Sequence, residues 1–194
     1  MAFYINTLKQ NSSQEIARLL EKCVRRHRKP WSEIVFLCIG SDRVTGDCLG
    51  PYVGYRLSQH PLPGISIYGT LEHPVHAVNL ENALSHISQA HPYALVVAVD
   101  ASLGEKKHLG YVTMGNGPLY PGAAVQKELP PVGDIYITGI VNISGILEYL
   151  TLQTTRLSTV ISLADTIAQG ILGSFPGKFI ECFTSTAKIK YLLY

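Results

Sequence analysis

The chain has 194 residues, of which 46% are hydrophobic and 15% charged, and its formal net charge is +2. That length suits a single α/β domain with a sizeable core, while so small a charge, with no face-long basic stripe, argues against nucleic-acid binding. No apolar run is long enough to span a bilayer, and the four cysteines show neither a C-x-x-C pair nor zinc spacing, so a reduced, cytoplasmic protein is expected.

The opening residues carry no signal-peptide pattern. Ser12-Ser13-Gln14-Glu15 reads as a capping box, followed at helical spacing by Ile16, Leu19, Leu20 and Cys23. The predicted helix ends near the basic cluster Lys22 to Lys29, which is expected to be its solvated end, and Pro30. Ile34 to Ile39 is a nearly unbroken apolar run ending at Gly40. Such runs suit a parallel strand covered on both faces. The next helix is expected to start at Pro51, because proline is favoured at the first helical position.

Ile65 to Tyr68 is a short strand candidate, followed by a loop from Thr70 to Val78 and a helix capped by Asn79 that runs to about Ala90. Ala94 to Val99 is a second buried strand. Gly110 to Met114 and Ile135 to Ile140 read as two more strands, separated by a long Gly- and Pro-rich loop from Gly115 to Gly133. Helical pattern resumes near Ser144 and again from Leu157 to Leu172, and the stretch from Lys178 to Tyr194 is ambiguous. Alternating strands and helices predict a doubly wound α/β layer structure.

Two aspartates stand out. Asp47 lies in Gly40-Ser41-Asp42-Arg43-Val44-Thr45-Gly46-Asp47-Cys48-Leu49-Gly50-Pro51, and Asp100 directly follows the apolar run that ends at Val99. Ligands of parallel α/β sheets bind beyond the carboxyl ends of the strands. Two carboxylates delivered there from separate strands are able to share a proton and activate a water. The bland alternative is that each caps its own local turn. The glycine-containing loop matches neither phosphate-binding fingerprint, and Cys48 has no local histidine to activate it as a nucleophile. Glu72-His73-Pro74-Val75-His76 offers metal-ligand types, although paired loop histidines more often face solvent.

Thr45-Gly46-Asp47-Cys48-Leu49-Gly50-Pro51, Val99-Asp100-Ala101-Ser102-Leu103 and Thr138-Gly139-Ile140-Val141-Asn142 together resemble the YyaC-type family of sporulation hydrolases. That family is in turn similar to the spore germination protease and, more distantly, to the hydrogenase maturation proteases. The resemblance implies a three-layer α/β/α sandwich with a mostly parallel sheet, of the phosphorylase/hydrolase-like type. It also implies catalytic roles for Asp47 and Asp100 and a forespore location. The histidine of the maturation proteases falls near Tyr120-Pro121-Gly122-Ala123, where this chain has none, which favours the germination-protease side.

The expectation is therefore a peptidase acting on a peptide or protein, without a cofactor. Asp47 and Asp100 are its catalytic pair, and Gly40, Arg43, Thr45, Thr138 and Asn142 are its substrate-orienting residues. One rival is a metal-assisted hydrolase that adds His73 or His76 as ligands. Another is an inactive peptide-binding protein, and the apolar late helices also leave room for a homo-oligomer.

Overall fold

A computed structural model describes residues 2–122 and 129–175. Six strands form one sheet in the order β1-β5-β6-β4-β2-β3. They are β1 (Phe3–Asn6), β2 (Glu33–Cys38), β3 (Ile65–Tyr68), β4 (Ala94–Gly104), β5 (Tyr111–Asn116) and β6 (Ile135–Ile143). β3, β2, β4 and β6 run parallel, and β5 is antiparallel to both of its neighbours. The helices are α1 (Ser12–Arg25), α2 (Leu49–Ser58), α3 (Leu80–Ala90), α4 (Glu148–Gln153) and α5 (Leu157–Ser174). Among the described residues no helix is long and apolar enough to cross a membrane.

Strand β2 shows how the layers are built. Ile34, Phe36 and Cys38 pack with Ile16 and Leu20 of α1, Leu49 and Val53 of α2, and Leu163 and Ile167 of α5. The intervening Val35, Leu37 and Ile39 face the other way, toward Leu80 and Ile87 of α3. Both faces of the strand are thus buried, which is why its sequence is apolar without alternation. The result is the expected three-layer α/β/α arrangement with a mostly parallel sheet.

From β2 the chain steps outward through α2 to β3, then returns through α3 to β4 on the opposite side of β2. The direction of winding therefore reverses between β2 and β4, with α2 and α3 on opposite faces. A reversal of this kind opens a crevice at the carboxyl ends of the two strands.

Several local expectations are corrected. β1, an edge strand of four residues, was not signalled by the sequence. The N-cap of α1 is Asn11 rather than a serine, and the Ser12 hydroxyl donates to the Thr7 carbonyl (3.4 Å) instead of closing a capping box. A 3₁₀ turn at Thr45–Cys48 leads straight into α2 at Leu49, so Pro51 lies within the first helical turn, where its missing N–H has no intrahelical acceptor to lose. Asn79 makes no side-chain cap. It accepts from the His76 N–H (2.8 Å) and donates to the Pro74 carbonyl (3.0 Å), which ties down the preceding loop.

Asp100 lies inside β4, not beyond its end, because β6 keeps pairing with it as far as Gly104 opposite Ile143. β2 stops earlier, at Cys38 opposite Val99. The helix expected near Ser144 starts at Glu148. Within the long loop before β6, Leu119 and Val132 form an isolated bridge. Ala123 and the stretch from Lys178 lie outside the described residues.

Candidate active site

Asp47 is held over the end of β2 by two close backbone approaches. Gly40 has a φ of 139°, and a side chain there would overlap the Asp47 carbonyl oxygen. A side chain at Gly50 would overlap the Ile39 carbonyl oxygen, so the first turn of α2 lies directly on the strand end. Glycine alone permits both approaches. The Asp47 N–H donates to the Val44 carbonyl (2.9 Å), and its own carbonyl accepts from the Ser41 N–H (3.2 Å).

Asp100 arrives from the neighbouring strand and is only 7% exposed. Its Oδ1 accepts from the Ala101 N–H at 2.8 Å. Both aspartates line one cavity of about 360 Å³, together with Gly40, His76, Ser102, Thr138 and Tyr149. Its position is the winding-reversal crevice between β2 and β4.

Burial dominates the electrostatics. It pushes the Asp47 carboxyl from an ordinary 3.8 up to about 6, against the lowering influence of the Ser41 N–H and of His76. Asp100 is raised well above its ordinary value, first by burial and then by the negative charge of Asp47, with the Ala101 N–H opposing. Desolvation comes first for both groups, and the like charge enters second, on Asp100. Both carboxyls are thus held above the ordinary aspartate range, and the Asp47 charge raises Asp100 further.

The other sequence candidates divide. Gly40 and Thr138 stand on the cavity wall, whereas Arg43, Thr45 and Asn142 do not. Arg43 is exposed, with its backbone N–H on the Ser41 hydroxyl (3.2 Å). Asn142 donates to the Thr151 carbonyl (3.2 Å) and the Thr155 hydroxyl (3.1 Å), and so anchors α4. A register slip between Ser102 and Leu103 places Asn142 opposite Leu103, whose side chain joins the core under α5. His73 is exposed and lines a separate depression with Glu72. Among the described residues no group of three or more His, Cys, Asp or Glu side chains is placed to hold a metal ion. The Cys48 thiol is raised by burial and by Asp42 and Asp47, the opposite of activation.

Glu148 and Tyr149 of α4 reach the cavity although no local pattern marked them. The contacts of α4 with the 3₁₀ turn and with β6 bring them there.

Over residues 4–170 the chain matches the family model described as "Protein of unknown function (DUF1256)". The chain belongs to this family. The DUF1256 chain is 46% identical over 169 residues to "Uncharacterized protein YyaC" of Bacillus subtilis (strain 168), an alignment covering 87% of this chain and 81% of that protein. Among solved structures it is similar to a [NiFe] hydrogenase maturation protease, HycI from Thermococcus kodakarensis KOD1. The TM-score is 0.50 at 21% identity, covering 79% of this chain and 99% of that one. At that identity the likeness is one of fold.

Proposed function

We propose that this DUF1256 protein is a peptidase in which Asp47 and Asp100 activate water, and that it acts on a peptide or protein during sporulation, in the forespore cytoplasm. The observation that carries the chemistry is the shared cavity, in which one carboxyl from the turn after β2 and one from β4 are both raised by burial. The sporulation role rests on the motif resemblance around Asp47, Asp100 and Thr138.

Ionised Asp47 takes a proton from a water as that water attacks the scissile carbonyl carbon. Protonated Asp100 gives its proton to the carbonyl oxygen, so the tetrahedral intermediate forms without a free oxyanion. Collapse of the intermediate returns that proton to Asp100, while Asp47 passes the water's proton to the departing amine. The carboxylate and carboxyl pair is thereby restored. Thr138, paired in register with Asp100, supports the floor beneath the reacting group. Exposed Val78, Tyr120 and Tyr149 at the cavity wall offer apolar contact suited to a protein chain.

The test is cleavage of a degenerate octapeptide library, read by mass spectrometry, with Asp47→Asn and Asp100→Asn as controls. Cleavage by the wild type and its loss in both variants is the expected result. Binding of peptides without any cleavage would favour a non-catalytic role for the same cavity.

A further inference from the structure

A second cavity of about 550 Å³ adjoins the first and shares Ser102, Leu103, Leu119, Tyr120 and Thr138 with it. Its floor is a row of side chains crossing four strands in register. Asp100 of β4 lies opposite Thr138 of β6, Thr138 opposite Thr113 of β5, and Thr113 opposite Tyr4 of β1. Three of the hydroxyls along this floor are joined, Ser102 to Thr138 at 3.2 Å and Thr138 to Thr113 at 2.6 Å. The far end is walled by Tyr4, 54% exposed, whose ring lies 4.7 Å from that of His108.

We propose that this second cavity holds the segment of an extended peptide that flanks the bond placed between Asp47 and Asp100. This inference rests on the peptidase reading above and adds the path of the substrate chain. Its chemistry is suited to a peptide backbone. Each hydroxyl carries one proton; with Ser102 donating toward Thr138 and the Gly139 carbonyl (3.3 Å) and Thr138 donating to Thr113, the Thr113 proton and the spare lone pairs remain for a ligand. Among the described residues, the only carboxylate on its wall is Glu105, which is paired with Lys107 at 2.8 Å. A neutral segment with polar backbone groups and side chains that stack on tyrosine is therefore the matching occupant.

The dimensions fit as well. From β4 to β1 there are three strand spacings, roughly 14 Å at about 4.8 Å each, and an extended chain advances about 3.3 Å per residue. About four residues on one side of the cut would cross the row from Asp100 to Tyr4.

The experiment is a titration of the ¹⁵N-labelled full chain with a degenerate octapeptide library, following backbone amide shifts at Gly40, Asp47 and Asp100 and, separately, at Tyr4, Thr113 and Tyr136, which line the second cavity. Both sets are expected to shift with a common midpoint. Thr113→Val, which keeps the shape but breaks the hydroxyl chain, is expected to weaken that midpoint about two- to tenfold at both sets, as loss of one hydrogen bond would. Thr113→Ser is expected to restore it. Shifts confined to the aspartate set overturn the second subsite and leave the peptidase reading standing. Shifts confined to the Tyr4 set, or two unrelated midpoints, overturn the continuous path. No shift at either set overturns the peptide reading and the inference together.

Discussion

At the amino ends of β2 and β6, carboxylates are matched by partners. Glu33 lies 2.8 Å from His91 Nδ1, and the opposite ring nitrogen lies 2.9 Å from the Tyr68 hydroxyl. Asp134 accepts from Lys29 Nζ (2.9 Å) and from the Val96 N–H (3.0 Å), and Lys29 also donates to the Ala94 carbonyl (2.9 Å). At the carboxyl ends of the same sheet, Asp47 and Asp100 make no ion pair among the described residues, burial raises both, and the Asp47 charge raises Asp100 further. A carboxylate placed for stability is paired with a donor or a cation, while one kept reactive stays desolvated and unmatched. Under the proposed function, one end of the sheet serves structure and the other serves chemistry.

The largest expected effect breaks the reactive end. Asp100→Asn should lower kcat/KM on a cleaved peptide by about 10²–10⁴-fold, with a melting temperature no lower than that of the wild type. The next effect sharpens the contrast through stability. Because the folded Asp47 binds its proton more tightly than the unfolded one, wild-type stability should fall as pH rises from roughly 4 to 6. Asp47→Asn removes that burden. Urea unfolding should show a variant up to about 3 kcal/mol more stable than wild type above pH 6, and no such gain below pH 4.

At the paired end the sign reverses. Glu33→Ala should destabilise by about 1–3 kcal/mol, lowering the melting temperature by about 2–4 °C per kcal/mol, while kcat/KM stays within about twofold of wild type. The smallest effect belongs to Arg43→Ala, exposed and off the cavity wall, which should change stability by less than about 0.5 kcal/mol in the same urea experiment.

Much of this frame was legible in the chain itself. Ile34–Ile39 and Ala94–Val99 announced buried parallel strands, because a strand covered on both faces has no reason to alternate. Four-residue β1 was silent, since an edge strand that buries only Ile5 leaves no pattern. Asp47 and Asp100 were found because each follows an apolar run, and β2 ends close to both. What could not be read was side-chain direction. Thr138 and Asn142 are four residues apart and would share a face of a regular strand, but the slip opposite Ser102 and Leu103 turns Asn142 toward α4. The contributions of Glu148, Tyr149 and the Thr113–Thr138 contact depend on elements far apart in sequence, so no local spacing encodes them.

The central claim is that burial divides the two aspartates into a base and an acid, and carboxyl ¹³C NMR of Asp-labelled protein tests it most directly. The account predicts an Asp47 midpoint near 6, an Asp100 midpoint well above the ordinary aspartate range, and a lower Asp100 midpoint in the Asp47→Asn variant. Two independent titrations near pH 4, with Asp100 indifferent to the loss of the Asp47 charge, would contradict it.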